Sequence, residues 1–286
     1  MKAIIQHLRF PFSLLLMPVF LFSLYFIPAA EISALNTGLL FIVLHVLIYP
    51  ASNAYNSTQD RDEGSVGLIK EPLPVPPLLL NVSLMMDLLA IGLSLFLNPI
   101  AAVLIVLYIV FSRLYSSRIV RLKRYPLIGF FTVFCCQGGL IYFIVQFACG
   151  ATFDALPYQS VLHAITSSLF IGSMYPLSQI YQHEQDRRDG VLTISAMLGY
   201  RNTFLFSGLQ FLLASVMITY LFMPAGSWQH VIIYGTLQLP VILFFLYWFY
   251  KVMKNVSEAN YKNTMLMNLI SASCMNTCFA ILLAIR

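Results

Sequence analysis

Two stretches of this chain carry the same polar pattern at an offset of 126 residues. Residues 49–64 read YPASNAYNSTQDRDEG and residues 175–190 read YPLSQIYQHEQDRRDG, with eight of 16 positions identical. The shared polar positions recur at i, i+3, i+7 and i+10, as Asn53, Asn56, Asp60, Glu63 and as Gln179, Gln182, Asp186, Asp189. At helical periodicity each set lines one face. Amide and carboxylate oxygens are hard donors that suit Mg²⁺, a cation that keeps several waters and binds a few carboxylates together with substrate phosphates. Two such faces related by a pseudo-two-fold are expected to converge on one central site. A solvated helix end has no need to repeat its pattern.

Between the copies lies SRLYSSRIVRLKRYPLIG, with five cations and two tyrosines. Guanidinium and ammonium groups beside metal-holding carboxylates would suit a diphosphate. Arg113 and Arg118 are open to a second reading, contact with anionic lipid head groups. Arg121, Lys123 and Arg124 divide between the two roles.

The elements that hold these groups are membrane helices. Charged residues are 9% of the 286 and hydrophobic ones 59%, against roughly 25% charged in a soluble domain. Apolar runs long enough to span a bilayer fall near 11–30, 37–55, 78–97, 98–115, 126–147, 158–180, 203–223, 229–250 and 264–285. Asn98-Pro99 marks a tight turn between the third and fourth. The first run reads as a span and not a cleaved leader, because it is long and no soluble domain follows it. With a cytoplasmic N-terminus, 15 of the 16 Lys and Arg residues fall inside and Arg286 alone falls outside. The positive-inside rule thereby supports both the count and the orientation. The expectation is an all-α polytopic protein of about nine transmembrane helices around a central cavity. It is a single domain over residues 1–286, with repeat halves of roughly 10–125 and 126–286, and its motifs lie at the cytoplasmic ends of even-numbered spans.

At these residues the chain resembles the UbiA-type intramembrane prenyltransferases. The resemblance rests on Asn56-Ser57-x-x-Asp60-x-Asp62-x-Gly64, on Gln182-x-x-x-Asp186-x-x-Asp189-Gly190 with Thr193 following, and on Tyr115, Ser116, Arg121 and Lys123 between them. It departs from the family pattern at Gly64, where an acid is common, and at Gln182, where Asp is usual. The resemblance implies transfer of a polyprenyl group from an allylic diphosphate to a lipophilic acceptor, aromatic or quinone-precursor in kind, within the membrane. It implies Mg²⁺ as cofactor, held by Asn56, Asp60, Asp62, Glu63, Gln182, Asp186 and Asp189. Asp60, Asp186, Lys123 and Arg121 would carry catalysis. Asn53, Tyr55, Tyr115, Ser116, Gln179, Tyr181, Arg124 and Asp87 would contact substrate. Tyr49, Tyr55, Tyr175 and Tyr181 are the nearest rings for cation–π shielding of an allylic carbocation. The partners implied are the diphosphate donor, the acceptor and the bilayer, with no nucleic acid and no obligate protein. The location implied is a bacterial cytoplasmic (inner) membrane. The alternatives are a secondary transporter, since internal repeats also build transporters, or a catalytically altered prenyl-lipid-binding protein.

Asp87, in the third span, is an acid in apolar surroundings. It is either a contact for the acceptor or a structural group bonded near Asn81 or Ser83. His45 and His163 read as packing histidines, and His183 lies off the ligand face. The five cysteines read as small buried hydrophobes, and Asn255-Val256-Ser257 is discounted as a glycosylation signal because it falls on the cytoplasmic side.

Overall fold

The computed structural model describes residues 1–61, 64–150, 158–223 and 228–286. Ten helices account for most of them: α1 (Lys2–Tyr25), α2 (Ala34–Asp60), α3 (Leu79–Ser94), α4 (Pro99–Ser116), α5 (Pro126–Cys149), α6 (Gln159–Gln179), α7 (His183–Arg188), α8 (Ile194–Phe222), α9 (Trp228–Lys254) and α10 (Tyr261–Ile285). Each of the nine apolar runs is overlain by a helix. Seven of these are long and apolar enough to cross a membrane, so the count of nine is not reached on those criteria. The third, α3, is only 16 residues long. The sixth, α6, has the length at 21 residues but carries Gln159, His163, Thr166, Ser167, Ser168, Ser173, Ser178 and Gln179.

Local chemistry sets the helix ends. Asn98 caps α4 by accepting the Ile100 N–H at 2.8 Å, with Pro99 at the first helical position, where its missing N–H costs nothing. Ser33, Thr193 and Asn260 cap α2, α8 and α10 in the same way. In α2 the turns Ile42–Ile48 are wound as a π-helix immediately before Pro50. A proline inside a helix removes a donor and crowds the carbonyl four residues back, and a wider turn relieves both. A second π segment, Phe134–Leu140, lies in α5. There Gly139 donates its N–H to Ser168 Oγ at 2.8 Å, and a Cβ on Gly138 would stand 2.3 Å from the Ser168 Cα. Glycine is therefore required where α5 meets α6. Arg9 breaks α1 in the left-handed conformation, and Gly199 breaks the start of α8 with an extended backbone at positive φ.

Many long apolar side chains face outward, among them Leu88 at 70%, Phe96 at 77% and Leu243 at 66% exposure. Helices close all their backbone hydrogen bonds internally, so lipid can solvate such a surface. The protein is a multi-pass integral membrane protein.

The chain resolves into two compact units. One comprises Met1–Leu122 with Leu140–Leu156, and the other Lys123–Gly139 with Pro157–Arg286. α5 begins in the second unit and ends in the first.

Candidate active site

In the first unit, copy one of the motif ends α2, and α4 with the loop after it meets it residue by residue. Tyr49 lies against Tyr108, with ring centroids 6.1 Å apart. Ser52 Oγ accepts from Ser112 Oγ at 2.9 Å. The Tyr55 ring lies 4.2 Å below the Arg113 guanidinium. Asn56 Nδ2 donates to Ser116 Oγ at 3.1 Å. Gln59 receives the Arg118 N–H on its side-chain oxygen and the Arg118 Nε on its carbonyl. Asp60 Oδ1 is 3.6 Å from Arg121 Nη2. Partner numbers rise together with a separation of 58 to 61, so α2 and α4 run parallel and the basic loop continues the series beyond the end of the helix.

Asp60 is the centre of this face. Its side chain is 5% exposed, and that of Arg121 is 18% exposed. Asn56 Nδ2 donates to its other oxygen, Oδ2, at 2.8 Å. A buried carboxylate needs positive charge nearby, and here that charge comes from Arg121. The oxygen donors and the existing attraction of a cation both fit a divalent metal at Asp60. Asp62 and Glu63 lie outside the described residues; α2 ends at Asp60, with Arg61 left-handed at φ 53°. Asn53 and Tyr115 are half-buried on α2 and α4.

Asp87 is not alone. Arg113 donates to its Oδ2 through Nε at 2.8 Å and through Nη2, and the same Nη2 reaches the Ser83 carbonyl at 3.5 Å. Of the two readings left open for Asp87, the structural one has its partner here, an ion pair with Arg113 beside the Ser83 carbonyl. Arg113, read in part as a head-group ligand, turns inward because a buried carboxylate offers it more than water does. Tyr55 consequently has one ring face engaged by a cation already. Arg9 also donates to motif one, through Nη2 to Ser57 Oγ at 2.7 Å. Arg113 stood out in the sequence as a diphosphate or head-group contact and not as the partner of Tyr55 and Asp87, and Arg9 did not stand out as part of this site. The one available signal was Ser52 and Tyr55 among the repeated identities.

In the second unit, copy two is broken. α6 stops at Gln179, the chain turns through residues 180–182, and α7 restarts at His183. The single-face expectation fails here because Gln182 is the N-cap of α7 and Asp189 its C-cap. Gln179 is buried, and its Oε1 accepts the Ser195 N–H at 3.4 Å, so this oxygen supports the start of α8. Asp186 lies on α7, and its carbonyl accepts the Val191 N–H at 2.8 Å, folding the following loop back. Tyr181 meets Tyr261 edge-on, with centroids 5.5 Å apart, and Tyr175 lies 6.3 Å from Phe130. His183, off the expected ligand face, is the anchor of α7. Its Nε2 is 2.8 Å from Ser195 Oγ, and its ring lies 4.8 Å from that of Tyr200. Burial pushes its pKa down to about 4, with Arg187 adding to the effect, so the ring is neutral. A cavity of about 220 Å³ beside α7 is lined by His183, Arg187, Gly190, Val191, Leu192 and Ala196. Arg124 stacks on Tyr125 at 5.0 Å, and its carbonyl accepts from Leu192 at 3.4 Å. Lys123 is half-buried in the 3₁₀ turn Leu122–Arg124.

A model of the UbiA prenyltransferase family matches residues 15–270. The chain belongs to that family. It is a prenyltransferase, and the transporter alternative falls away. No curated protein sequence matches it. Among solved structures it is similar to a digeranylgeranylglyceryl phosphate synthase at 22% identity and a TM-score of 0.61, covering 98% of this chain and 97% of that one. It is also similar to a UbiA homologue from Archaeoglobus fulgidus in two states. The form bound to DMAPP and Mg²⁺ gives 13% identity and a TM-score of 0.70, covering 99% and 100%. The form bound to GPP and Mg²⁺ gives 14% and 0.69, covering 98% and 99%. At these identities the likeness establishes a shared fold for the prenyltransferase.

Proposed function

We propose that this enzyme transfers a polyprenyl group from an allylic polyprenyl diphosphate to a lipophilic acceptor, aromatic or quinone-precursor in kind, at the cytoplasmic face of a bacterial inner membrane. The observation that carries the reading is the buried Asp60 carboxylate with Asn56 on one oxygen and Arg121 facing the other. It supports metal-ligand chemistry and diphosphate-binding chemistry at the same atoms. The Archaeoglobus homologue, which binds DMAPP or GPP together with Mg²⁺, supports the same chemistry.

Asn56 and Asp60 of copy one would hold Mg²⁺ in the first unit, and Gln182, Asp186 and Asp189 of copy two carry the same kind of oxygen donors in the second. When bound, the metal adds positive charge to the diphosphate oxygens. Arg121, Lys123 and Arg124 bind the remaining oxygens and stabilise the charge that grows on the leaving group as the allylic C–O bond breaks. The prenyl carbon then bonds to the acceptor, which loses a proton. Tyr49, Tyr175 and Tyr181 offer ring faces to the cation. Tyr55 is the poorer candidate, since Arg113 stands over it. Asp87 is occupied by Arg113, so it holds α3 to α4 and does not take the acceptor's proton.

Purified enzyme with Mg²⁺, farnesyl or geranylgeranyl diphosphate and a panel of aromatic acids, quinone precursors and glycerol lipids should yield one prenylated class by mass spectrometry. Diphosphate release without a prenylated product from any member would sink the acceptor assignment. Reporters fused after Gln59 and after Gln185 should both read cytoplasmic, and one fused after Gly150 should read the opposite side. A cytoplasmic signal from all three would overturn the orientation.

A further inference from the structure

The repeat has a buried register besides its polar face. Ala51, Ala54 and Ser57 of copy one are buried, and so are their counterparts 126 residues on, Leu177, Ile180 and His183. In both copies the last of the three is polar and stands three residues before the shared aspartate, Asp60 or Asp186. Each of these two is bonded to a segment outside its copy. Arg9 donates through Nη2 to Ser57 Oγ at 2.7 Å. His183 Nε2 lies 2.8 Å from Ser195 Oγ. The two tethers do unequal work. α2 runs unbroken from Ser57 to Asp60, so the helix itself already directs that carboxylate. α7 is six residues long and is cut off from α6 at 180–182. A helix that short does not hold itself, and its direction must come from side chains. Ser195 grips both sides of the cut: its N–H donates to Gln179 Oε1 at 3.4 Å, and its hydroxyl meets His183. Ser195 is fully buried, and the Thr203 hydroxyl, 3.2 Å from its own, ties it to the break of α8 by donating to the Gly199 carbonyl at 2.8 Å.

We propose that Ser195 is a positioning residue: by joining His183 to the end of α6 it aims α7, and Asp186 with it, while Arg9 acts on Asp60 in the same way through Ser57. The proposal rests on Asp186 serving the reaction, as read above. Misplacing a reacting group by about 1 Å costs on the order of 10²-fold in rate, and a short helix swings that far unless its root is fixed. The bond matters for direction more than for stability. Replacing both of its partners by apolar groups leaves no buried polar atom unpaired, which is close to neutral for folding. Thr203 keeps its bond to Gly199 in that case. Stability and rate are therefore separable at this pair, which a purely structural contact would not allow.

The test uses the full-length enzyme in detergent. Ser195→Ala and His183→Leu should each lower kcat about tenfold or more. The variant carrying both should be no slower than either single one, because the two changes remove one bond. It should also unfold at the wild-type temperature, which covers the case in which a single variant folds poorly. His183→Gln, whose amide can still reach the Ser195 hydroxyl, should recover most of the rate. A readout without turnover is hydrogen exchange at the Val191 amide, which is bonded to the Asp186 carbonyl at 2.8 Å; it should quicken about tenfold in the double variant. Ser57→Ala, in an unbroken helix, should cost less rate than the double variant does. A double variant with the wild-type rate overturns the proposal. So does one whose rate falls only in step with its unfolding temperature, since Ser195 would then be structural alone. A wild-type rate in Asp186→Asn is a separate failure: it removes the reading of Asp186, and the tether's purpose with it.

Discussion

Copy one of the motif is the last three turns of a continuous 27-residue helix, whereas copy two is cut between Gln179 and His183 into two helices and a turn. Half of the residues are the same, so the difference lies in what each copy packs against. Copy one has a parallel partner, α4, that supplies Ser112, Arg113 and Ser116 to its half-buried polar groups. Copy two has the kinked start of α8, which takes Gln179 and His183 for its own support. The positions of Asp87 and Arg113, carried forward by 126, are Leu213 and Leu239, both exposed on their helices. The ion pair therefore belongs to the first unit alone. The two copies share Asp60 and Asp186 and differ in the scaffolding around them.

The largest effect is expected where the copies agree. Asp60→Ala and Asp186→Ala should each lower the transfer rate by about 10²-fold or more, the scale of losing a charge-stabilising group. Excess chelator should do the same to the wild type. A rate within threefold of wild type for either variant, in protein that still folds, would mean that only one copy works. The two aspartates should also be non-additive, as groups acting on one substrate are, and a double-mutant cycle on the rate measures this.

Next come positions where the copies differ. Asp87→Ala should destabilise the first unit by about 3–5 kcal/mol, because Arg113 would be left buried without its partner. Asp87→Leu with Arg113→Leu, which restores the leucines of the second unit, should recover most of that loss in thermal unfolding. A double variant no more stable than the single one would show that the pair does more than compensate itself. In the second unit, Gly199→Ala should cost about 1–3 kcal/mol. Gly199 has φ 74° and nothing within 4 Å of an added Cβ, so the cost is backbone strain with no clash. An unchanged unfolding temperature would show that α8 can straighten and that the break beside copy two is not held by this glycine.

The smallest effect should come from the turn that presents Tyr261 to Tyr181. Glu258 pairs with Lys251 at 3.0 Å and accepts from Asn263, and hydrogen bonds from Lys251 and Asn263 hold its carboxyl below the usual range. A depressed carboxylate contributes its stability above the unfolded pKa, and that contribution is lost as pH falls through the folded value. Thermal stability should therefore drop slightly more between pH 5 and pH 3 in the wild type than in Glu258→Gln, which has nothing left to titrate there. Identical slopes would exclude a part for this pair in supporting copy two.

The membrane helices were legible because their signal is local: nine apolar runs are overlain by helices, and caps such as Asn98 and Ser33 are readable from neighbouring residues. Boundaries moved where polar residues join a helix, as at α8, which starts at Ile194 against an expected 203. The basic loop, read from sequence as a diphosphate contact, brings Arg121 to 3.6 Å from Asp60, a pairing that no spacing announced. Periodicity gave the face of copy one but missed the break in copy two, because residues 180–182 carry no proline or glycine to announce a turn.

By itself the sequence determined the class of solvent, the family, the repeat and the residue types able to hold a metal and a diphosphate, since composition, run length and spacing are properties of the chain. The tertiary structure decided which of those residues have their charges answered. Arg113 serves Asp87, Arg121 serves Asp60, Gln179 serves Ser195 and His183 serves α8. Such pairings depend on how far each helix is rotated about its axis and on which turn meets which. Packing fixes both across separations of 12 to 61 residues, well beyond the reach of any local pattern.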